Sequence, residues 1–104
     1  MSRTPLTTTE LEQLLRELPR WTHHEQALRR ELRFRDFAAA FTFMTHVAAE
    51  AEALDHHPDW SNSWNQVSIA LTTHSARCLT TLDAELARRI EHIALTTHEL
   101  PTSA

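Results

Sequence analysis

The sequence predicts an α+β domain, a small four-stranded, mainly antiparallel sheet with three helices packed on one face. Three observations predict it. Leucine and other apolar residues recur at i, i+3, i+4 and i+7 behind two capping patterns, Thr7 to Glu10 and Thr80 to Asp83. Two other stretches alternate apolar with polar residues, as half-buried strands do. The resulting order of helix, hairpin, helix, strands and helix suits helices laid over an antiparallel sheet. A chain of 104 residues builds one core, so residues 1–104 are read as a single domain whose site must share that core or a subunit interface.

Taken in order, Leu11, Leu14, Leu15 and Leu18 form the apolar stripe of a first helix that Pro19 ends. Trp21 then belongs to a short strand, with a turn near His23–Gln26 leading into a second strand. There Leu28, Leu32 and Phe34 share one parity and Arg29, Arg33 and Arg35 the other. Asp36 caps a second helix with the stripe Phe37, Phe41, Met44, Ala48 and Ala51, widened by Ala40, Val47 and Leu54. It should stop before Pro58, because the residue preceding a proline is biased away from helical geometry. Residues Trp60 to Trp64 fit either a short strand or a turn. Val67, Ile69 and Leu71 alternate with Ser68, Ala70 and Thr72 in a clearer strand that runs to His74. Leu82, Leu86, Ile90 and Ile93 mark a third helix fraying toward Leu100–Pro101, and disorder is expected only at the extreme termini.

Composition removes several classes of function. The formal charge is −4 with no basic block, which argues against direct nucleic-acid binding. Cys78 is the one cysteine, so no internal disulfide forms and a reducing, cytoplasmic setting is expected. No apolar run is long enough for a membrane span. The absence of Gly and Lys removes glycine-rich phosphate loops and Schiff-base lysines.

What remains is concentrated in Glu52-Ala-Leu-Asp-His56-His57-Pro58, followed by Trp64, His74 and Asp83. Histidine is the side chain whose ordinary pKa, about 6.5, lies near neutrality, so the cluster is equipped to move protons. Each member also has a plainer reading. His56 and His57 could cap a helix C-terminus, where the dipole favours a cation. Glu52 could orient His56 from one turn away or be an ordinary surface pair. Asp83 could cap the third helix. Trp21, Trp60 and Trp64 could stack on a flat heterocycle or fill the core. Three histidines and a carboxylate could also bind zinc, although their spacing is not the i, i+4 arrangement of helical zinc sites, and no metal is expected. His23, His24, His46, His92 and His98 show no comparable grouping and are read as surface residues.

The pattern E-x-x-x-H-H-P, five residues, an aromatic, nine residues, H, eight residues, D resembles the signature of the pterin-4a-carbinolamine dehydratase family. It is carried here by Glu52, His56, His57, Pro58, Trp64, His74 and Asp83 without an insertion. Trp21, Phe34-x-x-Phe37 around Asp36, and Leu79-Thr80 extend the resemblance over nearly the whole chain. Family members often have Gly where this chain has Arg20 and Cys78, which bears on local turn geometry. The resemblance implies dehydration of 4a-hydroxytetrahydrobiopterin to quinonoid dihydrobiopterin and water, with the pterin as substrate and no metal or organic cofactor. It implies His56 and His74 as general acids and His57 as chiefly a ring-binding residue. Glu52 would keep His56 oriented, and Asp83, Trp21 and Trp60 would shape the pocket. It also implies a homodimer or homotetramer. The alternative it raises is a non-enzymatic binding, assembly or dimerisation factor, since similar proteins are dimerisation cofactors of a homeodomain transcription factor. The lack of Lys and the abundance of Ala and Arg look bacterial, which weighs against a homeodomain partner.

Overall fold

Thr7 opens the first helix as its sequence predicts. Its hydroxyl accepts the Glu10 amide at 3.1 Å while the Glu10 carboxylate accepts the Thr7 amide at 2.9 Å, and α1 runs Thr8–Glu17. The structure is a computed structural model describing residues 3–101, and the extreme termini lie outside those residues. Strands β1 (Thr22–His24) and β2 (Ala27–Arg33) pair antiparallel with His24 opposite Ala27, leaving the two-residue turn Glu25–Gln26. Both turn residues have positive φ, 51° and 63°, the backbone that matches the twist of a tight hairpin.

Asp36 caps α2 (Phe37–Leu54) by accepting the Ala39 amide at 2.8 Å. That bond, ahead of the neighbouring Arg35, holds its carboxyl below the usual aspartate range. The segment that propensity leaves open is strand β3 (Asp59–Ser63), joined through Trp64 and Asn65 to β4 (Gln66–Leu71). Sheet order is β1-β2-β4-β3, antiparallel throughout. Helix α3 (Thr81–Thr96) follows a second capping box built by Thr80 and Asp83. Leu28, Leu32, Val67, Ile69 and Leu71 on the inner sheet face join Leu14, Phe43, Val47, Leu86 and Ile90 from the helices in one core. On the outer face Glu31, Arg33 and Gln66 are exposed. The fold is therefore the α+β arrangement that periodicity predicts.

Three details depart from the expected pattern. The buried face of α2 is Ala40, Phe43, Val47, Ala51 and Leu54, whereas Phe37 and Phe41 are 50% and 54% exposed. This helix is apolar nearly all round, so periodicity alone does not choose its inner face. Second, β4 stops at Leu71 rather than His74. Its neighbours run out there, since Leu71 pairs with Leu28 near the start of β2 and Ala70 with Asp59 at the start of β3. Third, Arg30 lies on the inner parity of β2 and is buried. Its Nε donates to Glu91 Oε1 at 2.7 Å, its two terminal nitrogens donate to Glu99 at 2.7 and 2.8 Å, and Trp21 Nε1 donates to the same Glu91 oxygen at 2.7 Å. Burial works against the guanidinium charge, but the Glu99 and Glu91 hydrogen bonds outweigh it and hold the Arg30 pKa above its ordinary value.

Candidate active site

The exit from α2 separates the two adjacent histidines. Asp55 takes left-handed backbone at φ 50°, and the His56 amide reaches back to the Ala51 carbonyl at 3.0 Å, as in a Schellman-type helix end. That bend swings His56 inward, where its side chain is 7% exposed and its Nε2 donates to Asp83 Oδ1 at 2.6 Å. Asp83 is itself fully buried, in the first turn of α3. Its other oxygen, Oδ2, accepts the Thr80 amide and the Thr73 hydroxyl, both at 2.8 Å. Asp83 thus caps α3 through one carboxylate oxygen and meets His56 through the other.

The expectation that Glu52 orients His56 is corrected. Glu52 Oε2 instead accepts from His57 Nε2 at 2.5 Å, with both side chains exposed. An i, i+4 pair needs helix on both sides, and this helix ends at Leu54. The left-handed residue that follows takes His56 away and leaves His57 over Glu52. His74 lies beyond β4 in a turn whose ends are bridged by Thr73 and Cys78. Its Nε2 meets Asp59 Oδ2 at 3.0 Å, again at the surface.

Each of the three histidines therefore has a carboxylate of its own. The links also bring two distant stretches together: His56 reaches Thr73 through Asp83, and His74 reaches Asp59, two residues beyond His57. Residues 56–59 and 73–74 form one side of the site, with Asp83 behind them. Trp60 is half-buried against the core, Trp64 is 66% exposed at the β3–β4 hairpin tip, and Trp21 is buried with its indole N–H on Glu91. Sequence reasoning passed over Asp59 and Thr73. The signal for both was adjacency, one just after His57-Pro58 and one just before His74. Among the described residues, no three His, Cys, Asp or Glu side chains are grouped so as to hold a metal ion. Nor is any described helix long and apolar enough to cross a membrane.

The two positions at which the resemblance suggests Gly, Arg20 and Cys78, need no special backbone here. Neither Arg20 nor Cys78 has positive φ; the left-handed residue of the turn after His74 is Arg77, at φ 57°.

The family described as "Pterin 4 alpha carbinolamine dehydratase" matches residues 4–93. The chain belongs to this dehydratase family. Two relatives carry the name "Putative pterin-4-alpha-carbinolamine dehydratase". The protein from Prochlorococcus marinus (strain MIT 9303) is 49% identical over 86% of this chain and 94% of its own length. The one from Rhizorhabdus wittichii is 49% identical over 90% of this chain and 99% of its own. A crystal structure described as a transcriptional coactivator/pterin dehydratase from Brucella melitensis superposes with a TM-score of 0.83 at 42% identity, covering 88% of this chain and 99% of that one. The residues that carry the resemblance in the sequence, Glu52, His56, His57, His74 and Asp83, are among those paired above, and Trp64 lies at the hairpin tip.

Proposed function

We propose that this protein dehydrates 4a-hydroxytetrahydrobiopterin to quinonoid dihydrobiopterin and water, in cytoplasmic pterin recycling and without a metal or organic cofactor. The observation that carries the reading is the separate carboxylate partner of each signature histidine, which gives every imidazole a defined orientation. Hydroxide leaves poorly at neutral pH. A histidinium therefore protonates the 4a-oxygen as the C–O bond breaks, the N5 lone pair pushes in to form the C=N bond, and the N5 proton passes to a base. His56 and His74 serve as the general acids, and His57 binds the ring. Asp83 orients His56, the part first expected of Glu52, and Glu52 orients His57. Trp60, on β3 just beyond Asp59, supports the pocket wall; Trp21, expected to share that part, is instead a core residue bonded to Glu91 at the opposite edge of the sheet. Positioned acid–base groups typically contribute about 10²–10⁴-fold.

The test is the rate of quinonoid dihydropterin formation from freshly generated 4a-hydroxytetrahydropterin, with and without protein. His56→Ala and His74→Ala are expected to lower kcat by roughly a hundredfold, whereas His57→Ala chiefly raises KM. No acceleration by folded wild-type protein would replace this reading with that of a binding or assembly factor. The Brucella neighbour's description, which names a transcriptional coactivator beside a pterin dehydratase, is the ground for that second reading.

The same proposal includes a homodimer or homotetramer. Phe37 and Phe41 meet in a tilted pair on the outer face of α2 with ring centroids 5.8 Å apart, half exposed, as an unpartnered apolar face would be. The double variant Phe37→Glu/Phe41→Glu should shift the mass in light scattering to that of one chain. A wild type already monomeric at micromolar concentration would remove this part of the proposal.

A further inference from the structure

Thr73 is buried, 2% exposed, and its hydroxyl donates to Asp83 Oδ2 at 2.8 Å. Because that hydrogen is committed to the carboxylate, the 2.7 Å contact between the Thr73 and Thr80 hydroxyls is one in which Thr80 donates. The chain of bonds therefore has a direction, from Thr80 to Thr73 to Asp83. Two donors on Oδ2 keep Asp83 an acceptor and turn Oδ1 to His56. An acceptor opposite Nε2 puts the proton on Nε2, so Nδ1 is the nitrogen left for other partners. The backbone of the same residue starts the turn that carries His74: the Thr73 amide bonds the Cys78 carbonyl at 3.3 Å, and the Ala76 amide bonds the Thr73 carbonyl at 3.1 Å.

We infer that Thr73 is a positioning residue, setting the tautomer of His56 through Asp83 while its backbone sets the place of His74. Thr73 goes into the Asp83 network while His74, the next residue and the first of the turn, goes out to Asp59. A single residue thus joins the buried histidine to the exposed one. No described side chain other than Asp83 bonds the His56 ring, so the tautomer depends on this one carboxylate and on what holds it. The kinetic consequence rests on the dehydratase reading above; the tautomer does not.

The experiment takes Thr73→Val, which removes the hydroxyl and keeps the shape, beside Thr73→Ser. Two readouts are made: kcat and KM for the carbinolamine, and long-range proton–nitrogen spectra of histidine-labelled protein at alkaline pH, with His56 assigned through His56→Asn. Thr73→Val is expected to lower kcat by about tenfold, as for loss of a hydrogen bond to a charged group, with KM little changed. Its neutral His56 should pass from the Nε2–H form to a mixture of tautomers. Thr73→Ser should restore most of the rate and the wild-type His56 signals. If Val unfolds the chain, Thr73→Cys, with a weak donor of serine size, takes its place. Unchanged His56 signals in a folded variant would overturn the inference whatever happens to kcat, because a purely structural residue lowers activity without changing the tautomer. A wild type that does not accelerate the reaction would remove the dehydratase reading alone, leaving the spectra to decide the role of Thr73.

Discussion

Asp83→Asn should abolish most of the catalytic rate while leaving the fold in place. The Thr80 amide and Thr73 hydroxyl both donate to Oδ2, so an asparagine must put its amide oxygen there. Its NH₂ then faces His56 Nε2, where the native carboxylate oxygen accepts a proton at 2.6 Å. Donor against donor is avoided only if His56 gives up the Nε2 proton and carries it on Nδ1, the wrong tautomer. A side-chain amide in this position removes the stabilisation of an imidazolium as well. Losses of roughly 10²–10⁴ in kcat follow from a mispositioned acid–base histidine. The measurement is kcat over the spontaneous rate, with urea unfolding beside it. A near-native kcat would show that His56 works without its carboxylate.

The second large effect is on stability. Arg30→Met should cost about 3–5 kcal/mol, the range for breaking a buried ion pair from one side. Glu99 is only 8% exposed and Glu91 23%, and without the guanidinium the neighbouring cation is Arg20, half exposed at 3.1 Å from Glu99. The C-terminal tail should loosen with it, because Glu99 and the Leu100 amide on the Arg33 carbonyl tie that segment to β2. Adding Glu91→Gln and Glu99→Gln to Arg30→Met should recover much of the loss, since no unpaired charge is then buried. Chemical denaturation of the three forms decides it; equal midpoints for the wild type and Arg30→Met would show that the pair is solvated.

These two residues also mark how far local signals reach. The caps at Thr7, Asp36 and Thr80 were legible because each works within three residues. Strands β2 and β4 were legible because period-2 alternation is local. The burial of Arg30 was not, because it depends on carboxylates 61 and 69 positions away. Its place on the same parity as Leu28 and Leu32 was visible, but a charged residue there reads as an interruption until its partners are known. The pattern singled out three histidines, and the structure pairs His56 with Asp83 and His57 with Glu52, not His56 with Glu52. Whether Glu52 meets His56 or His57 turns on where the helix stops and on the hand of Asp55. Pro58 bounds the stop, but it does not set that hand.

A chain with no glycine still turns left-handed at Glu25, Gln26, Asp55, Trp64, Arg77 and His98. Each such residue carries roughly 1–2 kcal/mol of backbone penalty that glycine would not. The unfolded chain offsets only part of this. Where the native backbone tolerates it, replacing glycine with another residue narrows the unfolded ensemble and stabilises by about 0.4–1 kcal/mol. The turns are therefore held from outside, by the helix ends and strand ladders they join, while the denatured state has less conformational entropy to give up. A loop excised from this protein would not keep its shape.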